Sequence, residues 1–577
     1  MLSLILLITN GNSQQDIDFS LHNNLLEPIF QNVFKNFSNK NEGFPYTVNN
    51  ITPRFYKLEV IQPLKETEYI TSLKDNNPIQ NIQNLYNQLE KEIKNLKNSD
   101  LSSLSFALYY LLYKYTLRIP CYIKGKEDVS LFDAIRVITA VKNCEWASYN
   151  KETPFLLIKG DVAGIQNYIY SDIELDKTGS TQGLSKKLRG RSFLVSLLTD
   201  YFASLFISEF QVFEPHILYS GGGHFLVLLP NLEDSESKLL KLEKEINLML
   251  AKKLSFKLTF LLGKAYLDKS LLEDASNAIL NVNHSLNKAK NQKHLAFIDE
   301  IFNLSLANQL NEENLGSLIP NSNFLIELQL KSSLEKNNAN RDALITDFSE
   351  WNTYYFLVDN DNEIEKLLPS NKDNIKSVKI YAFNQTEFIR NFKSSFPIHY
   401  GFKIIANYVP KNSKDKALTF EEISSLELPQ SQNSCLEYKQ LGILRLDVDH
   451  LGSIFAYGLE KNGQTSLMRV ATLSRELHHF FAGYSNVLTK KYHIYTVYSG
   501  GDDAFFIGSW INILHFANEF RKAFKNFVCN NPNLSFSAGI FMCHPRHPIA
   551  KFAEEAAEME KTIQKIQPWS KRCYYSF

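Results

Sequence analysis

The spacing of hydrophobic and polar positions changes along this chain and divides it into segments of different structure. Between residues 80 and 120, apolar side chains recur three and four positions apart, which predicts a helical insertion. The positions concerned are Leu85, Leu89, Ile93 and Leu96. From Phe155 onward, short apolar runs alternate with amphipathic stretches, as is typical of α+β or α/β structure. The polar stretches 310–375 and 411–416 are candidate domain boundaries.

Three sequence landmarks occur twice, in the same order and at nearly the same spacing. They are an apolar strand ending in Asp-Val, a Tyr-Ser-Gly-Gly turn, and a second apolar strand ending in glycine. The pairs are 156–162 with 442–448, 219–222 with 498–501, and 258–263 with 534–539. An internal match of this kind predicts a duplicated domain.

In each copy, the order strand, helix, helix, hairpin, helix, strand predicts a ferredoxin-like palm, the βαββαβ scaffold of many polymerases and nucleotide cyclases. In the second copy, residues 466–490 supply the helices, and the glycine turn between two apolar strands is a hairpin signal. The predicted fold class is α+β, with two ferredoxin-like palm domains in tandem, helical insertions and a connecting domain.

The chain is long enough for several hydrophobic cores, since it has 577 residues and single cores rarely exceed about 250 to 300. We predict four segments. They are an N-terminal segment (1–45), a first, non-catalytic palm that includes the helical insertion (46–300), a connecting domain (301–435) and a second, catalytic palm (436–577).

The second copy carries the acids of a candidate active centre. Asp502 and Asp503 lie at the tip of the hairpin, and Asp447 ends the neighbouring strand, so three carboxylates gather at one sheet edge. Mg²⁺ and Mn²⁺ bind such oxygens together with substrate phosphates, and a metal pair can activate a 3′-hydroxyl and neutralise pyrophosphate. We predict Asp447, Asp502 and Asp503 as catalytic metal ligands. Ser499, Gly500 and Gly501 are predicted to approach a nucleotide through their backbone.

Other interpretations of these residues are weaker. A Gly-Gly-Asp-Asp sequence can be a tight turn with exposed acids, but the repeat and Asp447 favour catalysis. Asp449 lies on the same strand face as Asp447 and further from the turn. The dipeptide Asp449-His450 lacks the additional ligands that a His-Asp phosphohydrolase requires. For His478 and His479, on the palm helix, we expect a packing or solvent-facing role.

The first copy keeps the turn and loses the acids. Gly223 and His224 stand where the second copy has Asp502 and Asp503, so this turn cannot hold metals in the same way. The turn residues Ser220, Gly221, Gly222 and Gly223 can still bind a nucleotide. A basic segment with Lys186, Lys187, Arg189 and Arg191 is predicted as a loop before a helix over 193–207, where it would contact phosphate or RNA; the alternative is a solvated basic loop.

Charge and cysteine content limit the possibilities further. Lys plus Arg (62) equals Asp plus Glu (62), so contacts with nucleic acid must be local or shared with partners. Six scattered cysteines form no C-x-x-C pair and predict reduced thiols in a cytoplasmic protein. The apolar opening residues 1–8 lack the features of a signal peptide, and no stretch approaches the about 20 apolar residues of a membrane helix.

Six motifs together resemble one family, the large polymerase-like subunit of type III CRISPR–Cas effector complexes, Csm type. The resemblance covers the chain from about Leu26 to its end. The motifs are Gly160-Asp-Val-Ala-Gly-Ile-Gln-Asn-Tyr-Ile-Tyr170, Leu188-Arg-Gly-Arg-Ser-Phe193, Tyr219-Ser-Gly-Gly-Gly223, Leu444-Arg-Leu-Asp-Val-Asp-His-Leu-Gly-Ser-Ile-Phe455, Arg469-Val-Ala-Thr-Leu-Ser-Arg475 and Ser499-Gly-Gly-Asp-Asp503.

The resemblance implies that the palm pair converts ATP into cyclic oligoadenylate when the complex captures a target RNA. It implies a guide RNA (crRNA), the small helical subunit and the subunit that grips the guide 5′ end as partners, and no membrane. Asp447, Asp502 and Asp503 match the metal-binding acids, and Ser220 and Ser499 match two nucleotide pockets. Asp161, Lys187, Arg189 and Arg191 are candidate nucleotide-binding residues of the first palm.

The sequence departs from the family pattern in three places. No N-terminal His-Asp nuclease domain is recognisable, so nuclease activity is not predicted. The cysteine quartet between the palms is missing, so no structural zinc is expected. The chain ends near the end of the second palm, which raises the question of how activation works without the C-terminal helical domain.

Two other functions stay open. The chain can be a catalytically silent scaffold subunit that binds guide RNA and partner subunits. It can also be a stand-alone GGDEF-like nucleotide cyclase, although such enzymes pair two equivalent palms and only one palm here keeps its acids.

Overall fold

The computed structural model describes most of the chain. The described residues are 25–35, 53–62, 70–71, 77–96, 100–121, 123, 125–170, 182–272, 274–293, 312–333, 344–369, 371–390, 394–426, 439–460, 464–546 and 574–576. The predicted domain limits at 45/46, 300/301 and 435/436 lie outside these residues. The apolar opening residues 1–8, Cys435 and Cys573 also lie outside them.

A short strand pair and three helices precede the first copy of the repeat. They are β1 (Phe55–Tyr56), β2 (Ile70–Thr71), α1 (Pro78–Asn95), α2 (Leu101–Thr116) and α3 (Leu131–Ala147). The side chain of Asp100 caps α2 by accepting from two backbone N–H groups, and that of Ser130 caps α3 by accepting from the backbone N–H of Asp133. Helices α1 and α2 occupy the stretch 80–120, in which the apolar spacing predicts helix.

The first copy, residues 155–290, is called the N-terminal repeat. Its elements are β3 (Phe155–Ala163), α4 (Ile165–Tyr170), α5 (Gln182–Glu209), β4 (Ile217–Gly221), β5 (His224–Pro230), α6 (Ser235–Leu254), β6 (Thr259–Leu267) and α7 (Ser276–Lys290). The four strands form an antiparallel sheet in the order β4-β5-β3-β6. Strand and helix therefore follow one another in the predicted βαββαβ order, with α4 and α7 in addition.

A second sheet, called the middle sheet, follows in the chain. The elements are α8 (Glu312–Leu318), β7 (Phe324–Leu330), β8 (Leu344–Phe348), β9 (Thr353–Val358), α9 (Ile364–Leu367), β10 (Ile375–Phe383), β11 (Ile398–Lys403) and α10 (Phe420–Ser424). Its strand order is β11-β10-β7-β9-β8. The prediction of a boundary at 310–375 is wrong for most of that stretch, because three strands of this sheet lie there, and apolar side chains of α1 and α2 share its core.

The second copy, residues 441–543, is called the C-terminal repeat. Its elements are β12 (Leu441–Val448), α11 (Leu451–Ser453), α12 (Leu467–His478), α13 (Ser485–Tyr492), β13 (Tyr495–Gly500), β14 (Asp503–Ser509), α14 (Trp510–Phe527) and β15 (Phe536–Cys543), and β16 (Tyr574–Ser576) adds to the sheet. The strand order is β13-β14-β12-β15-β16, equivalent to that of the N-terminal repeat. Two π-helical segments, Ile454–Gly458 and His479–Tyr484, interrupt the helices. The α+β class is confirmed.

The two repeats cover each other's sheets. Leu156 and Ile158 share a core with Leu441 and Ile443 of the other repeat, so opposite sheet faces are joined in one apolar layer. Helix α5 of the N-terminal repeat packs on β13, and helix α12 of the C-terminal repeat packs on β4. Because the packing is reciprocal, the two hairpin turns are brought to the same place.

Of the described helices, only α5 contains a segment, Ser185–Glu209, that is long and apolar enough to cross a membrane. Its side chains Leu198, Phe202 and Phe206 are fully or almost fully buried among the other core residues. The apolar character of α5 therefore corresponds to a core helix.

Helix α8 crosses α5 at two glycines. A Cβ on Gly190 would lie 1.9 Å from the carbonyl oxygen of Glu312, and a Cβ on Gly316 would lie 1.8 Å from that of Lys186. Both contacts are to backbone, which cannot swing aside as a side chain can. The two helices can therefore cross at this distance only with glycine at both positions.

We predict that Gly190→Ala lowers the free energy of unfolding of the full chain by about 2 kcal/mol or more, the range of an overpacked core. The measurement is denaturant unfolding followed by circular dichroism. Gly452→Ala is the matched control, because nothing lies within 4 Å of a Cβ there. Equal midpoints for the two variants would contradict the close crossing.

Candidate functional site

The two hairpins present equivalent residues at equivalent positions. In the C-terminal repeat, Asp447 pairs with Asp503 across β12 and β14. In the N-terminal repeat, Asp161 pairs with His224 across β3 and β5. The backbone N–H that follows each strand aspartate donates to the turn, from Val448 to Asp502 (3.0 Å) and from Val162 to Gly223 (2.8 Å). The repeat seen in the sequence is thus also a repeat of hydrogen bonds.

The turns of the two hairpins lie against each other. A Cβ placed on Gly501 would lie 3.3 Å from the backbone nitrogen of Gly222, and one on Gly222 would lie 3.5 Å from an Asp502 carboxylate oxygen. Gly222 and Gly501 both have positive φ angles, +60° and +68°. The glycines therefore supply both the turn conformation and the close approach of the repeats.

The acids of the C-terminal repeat lie near this contact. Asp447 and Asp503 are directly opposite each other in an antiparallel pair, so their side chains project from the same sheet face with Cβ atoms about 5 Å apart. Asp502 is half-buried at the turn, beside Gly222. Burial raises the pKa of Asp502, against the opposing fields of His224 and Lys159. In the described part of the chain, no group of three His, Cys, Asp or Glu side chains is placed so that it could hold a metal ion, so the structure does not bring Asp447, Asp502 and Asp503 together as one set of ligands.

Asp449 and His450 have local structural roles. Both carboxylate oxygens of Asp449 accept hydrogen bonds, from the hydroxyls of Ser535 (2.6 Å) and Ser537 (2.5 Å). His450 has a positive φ of 56° at the start of the helix that follows the strand, where the N-terminal repeat has Gly164. Asp449 is thus bound to β15 and the segment before it.

The acid of the N-terminal repeat is paired with cations. Asp161 contacts His224 Nε2 at 3.1 Å and Lys290 Nζ at 2.8 Å, and its side chain is only 6% exposed. Burial alone would raise the pKa of Asp161, but the hydrogen bonds and charges of His224 and Lys290 outweigh it and lower the pKa. Lys159 lies two residues before Asp161 on the same strand face. Lys290 comes from α7, and sequence reasoning did not identify it.

The hydroxyl groups of the two turn serines donate to helical segments of their own repeats. Ser220 Oγ donates to Asp200 on α5 at 2.6 Å, and Asp200 also pairs with Lys403 of the middle sheet. Ser499 Oγ donates to the carbonyl oxygen of Phe481 in the π-helical segment at 2.6 Å. A cavity of about 200 Å³ opens beside Ser220 and Asp200, between the N-terminal repeat and the middle sheet.

The two histidines of the palm helix pack inside the protein. His479 stacks on Tyr113, whose hydroxyl lies 2.5 Å from Nε2, and burial lowers the pKa of His479. His478 Nε2 lies 3.1 Å from the carbonyl oxygen of Ile404. The packing interpretation of both residues is confirmed.

The predicted basic loop is part of helix α5, and this corrects the sequence interpretation. Arg189 donates to the carbonyl oxygen of Gly316 at 2.7 Å and lies over the ring of Tyr495. Arg191 pairs with Glu312 at 2.6 Å. Both arginines are at most 5% exposed, so they hold α8 and β13 in place instead of facing a nucleotide. Lys187 is half-buried on the same helix. The glycines that suggested a loop serve the helix crossing.

Two family descriptions match the repeats. Residues 440–571 match the second palm domain of Cas10/Cmr2, and residues 154–307 match domain B of the Csm1 subunit. These ranges contain the two copies that the internal repeat predicts, and they are separated by the middle sheet.

The curated relatives agree. The chain is 26% identical over 548 residues to the CRISPR system single-strand-specific deoxyribonuclease Cas10/Csm1 (subtype III-A) of Methanocaldococcus jannaschii, covering 78% of this chain and 66% of the relative. It is 28% identical over 473 residues to the protein of the same description from Enterococcus italicus, covering 76% and 59%. The chain belongs to the Cas10/Csm1 family. The family prediction from the sequence is therefore confirmed.

Solved Cas10/Csm1 structures share the fold over nearly the whole chain. A Csm1–Csm4 cassette in complex with cA4 superposes with a TM-score of 0.71 at 20% identity, covering 96% of this chain and 70% of that chain. A cassette in complex with one ATP gives a TM-score of 0.71 at 20% identity, with 94% and 69% covered. The shared fold includes both repeats and the middle sheet.

We predict that Gly501→Ala destabilises the full chain by about 1–2 kcal/mol, because alanine in the left-handed conformation is strained and its Cβ would press on Gly222. Gly500→Ala is the comparison, since its φ is not positive and nothing lies within 4 Å of a Cβ there. Its unfolding free energy should change by no more than about 0.5 kcal/mol. Denaturant unfolding measures both, and a reversed order would refute the contact of the turns.

Proposed function

We propose that this chain polymerises ATP into cyclic oligoadenylate, as the nucleotidyltransferase subunit of an RNA-guided type III-A CRISPR complex. The observation that carries the proposal is the asymmetric pair of turns. Asp447 and Asp503 face each other in register, Asp502 lies between the repeats, and the opposing turn has Gly223 and His224 at the positions equivalent to Asp502 and Asp503.

The carboxylate oxygens of these acids are of the ligand type that divalent cations such as Mg²⁺ prefer. Mg²⁺ is usually held by one or two carboxylates and by phosphate oxygens of the substrate, so a complete cage of protein ligands is not required. Asp447, Asp502 and Asp503 would hold Mg²⁺ or Mn²⁺ together with ATP. The bound ions supply charge neutralisation at the reacting phosphate and lower the pKa of the attacking hydroxyl. A nearby cation would also favour the ionised form of Asp502, whose pKa burial raises.

The turns would position two nucleotides. Backbone N–H groups of the glycines at 221–223 and 500–501 can approach phosphates without a Cβ between them. Ser220 and Ser499 mark the two subsites, and their hydroxyl oxygens retain lone pairs after donating to Asp200 and Phe481. The cavity beside Ser220 offers room for a base. Lys187 stays a candidate phosphate contact, whereas Arg189 and Arg191 do not.

We further propose that guide RNA, target RNA, a small helical subunit and the subunit that caps the guide 5′ end assemble with this chain. The support is membership of the Cas10/Csm1 family and the shared fold of structures described as Csm1–Csm4 cassettes. A cytoplasmic location without a membrane contact accords with these partners.

The decisive experiment uses the assembled complex with guide RNA, complementary target RNA, labelled ATP and Mg²⁺ or Mn²⁺, with mass spectrometry of the product. We expect cyclic oligoadenylate from the unaltered complex. Asp502→Ala combined with Asp503→Ala should reduce product by roughly a hundredfold or more, because metal ligands contribute several kcal/mol to such reactions.

Asp449→Asn is the matched control, since this carboxylate is bound by two serines and an asparagine oxygen can accept one of those bonds. It should retain most of the product. Absence of product from the unaltered complex would favour the scaffold function. Product that survives the double substitution would refute the site, and GTP turnover without RNA would favour a stand-alone cyclase.

A further inference from the structure

Three basic side chains surround Asp161 in the N-terminal repeat, and we call them the cationic cluster: Lys159, His224 and Lys290. Lys290 Nζ lies 2.8 Å from one oxygen of Asp161, and His224 Nε2 lies 3.1 Å from the other. Lys159 Nζ donates to the side chain of Asn283 at 2.8 Å. The cluster occupies the sheet face and the strand ends at which the C-terminal repeat carries Asp447 and Asp503.

His224 carries a positive charge in this arrangement. Its Nε2 faces a carboxylate oxygen of Asp161, and its Nδ1 faces the carbonyl oxygen of Gly222 at 2.9 Å. Both partners only accept hydrogen bonds, so both ring nitrogens must carry hydrogen. The two positive charges of His224 and Lys290 therefore exceed the single negative charge of Asp161 by one. Lys159 adds a third basic group.

The cluster retains exposed donor capacity. The side chains of His224 and Lys290 are 41% and 43% exposed, whereas Asp161 is 6% exposed. One cation would be enough to neutralise the single buried carboxylate of Asp161. Neutralisation alone therefore does not explain why three basic groups lie here. Lys290 donates one of its three N–H groups to Asp161, and the other two are able to donate to an anion.

The cluster also borders the region between the two hairpin turns, which we call the cleft. Asp502 Oδ1 lies next to Gly222, which is the acceptor for His224. Asp502 lies within electrostatic range of both His224 and Lys159. One wall of the cleft is thus acidic, and the wall across from it is basic.

We propose that the cationic cluster is a metal-independent subsite for the polyphosphate of a nucleotide bound between the two hairpin turns. In this subsite, ammonium and imidazolium groups take the part that metal ions take at the acids of the C-terminal repeat. The inference rests on the proposed function, because it concerns one of the two nucleotides of that reaction. Lys290 and Lys159 bind the phosphate oxygens, and His224 contributes charge from a fixed position.

The test measures equilibrium binding of ATP to the full chain in EDTA, so that binding through metals is removed. We expect measurable binding, and we expect Lys290→Met to weaken it about tenfold, the effect of losing one charge-assisted hydrogen bond. Lys290→Arg should retain most of the affinity, because it keeps the charge. Lys288→Met is the matched control, since this exposed lysine lies on the same helix without contact to Asp161.

Inorganic tripolyphosphate should compete with ATP for the unaltered chain and should lose that ability with Lys290→Met. Adenosine should bind the unaltered and Lys290→Met chains equally. No binding of ATP in EDTA, equal affinities of the Met variant and the unaltered chain, or equal weakening of ATP and adenosine would each overturn the proposal.

A variant without the acids distinguishes a failure of the subsite from a failure of the proposed function. Asp502→Ala combined with Asp503→Ala should leave metal-free binding of ATP intact while abolishing product in the assembled complex. If the unaltered complex makes no product and binding in EDTA still depends on Lys290, then the proposed reaction fails and the subsite stands. If product forms and binding in EDTA does not depend on Lys290, then the subsite fails and the reaction stands.

Discussion

Two glycine turns meet backbone to backbone at the centre of the molecule, and the shared cleft depends on this contact. Gly222 and Gly501 both have backbone angles in the left-handed region, and a Cβ on Gly501 would lie 3.3 Å from the backbone nitrogen of Gly222 in the opposite turn. A Cβ at this distance already requires the opposing turn to shift by a few tenths of an ångström, and larger side chains on both turns would separate the hairpins further. The acids at one turn and the cations at the other would then be further apart. The reciprocal packing of α5 on β13 and α12 on β4 serves to hold this one approach.

A buried ionic group fixes the two repeats at that distance. Arg136 pairs with Asp133 at 2.9 Å and also donates to carbonyl oxygens in both repeats, at Ile217 and Ala471. Arg475 of α12 contacts the same Asp133 at 2.6 Å. Burial would raise the pKa of Asp133, but the two arginines outweigh it and lower the pKa. Loss of one partner would leave an uncompensated buried charge, which costs about 3–5 kcal/mol in comparable cases. Helix α3 therefore couples the turn geometry to the rest of the chain.

Sequence reasoning identified what is local and repeated. The matching strand ends and turns at Asp161 and Asp447 showed the duplication, because equal spacing along the chain corresponds to equal positions in the two sheets. The role of Gly190 and Gly316 in the helix crossing could not be predicted from the sequence. A glycine that serves a turn and one that serves a helix crossing look alike in sequence, and their meaning depends on a partner more than a hundred residues away. The same applies to Lys290, since α7 approaches Asp161 only after the sheet has formed.

The middle sheet shows a second limit of the sequence pattern. Its strands lie among polar stretches that read as linker, and its core is completed by α1 and α2, from a distant part of the chain. Periodicity describes which face of one element is apolar, but it does not identify the element that covers that face. The contact of Lys403 with Asp200, which joins this sheet to the Ser220 turn, was unpredictable for the same reason.

The loss of acids from the N-terminal repeat has a consequence for the acids that remain. Two unit charges 4 Å apart interact by about 4 kcal/mol at the effective dielectric constant near a protein surface. If Gly223 and His224 were both aspartates, the two walls of the cleft would repel each other at a separation that the glycine contact keeps small. With His224 in place, the field across the cleft acts in the opposite direction and, with that of Lys159, opposes the rise in the pKa of Asp502 that burial causes. One copy of the duplicated domain thus favours the ionised form of an acid in the other copy.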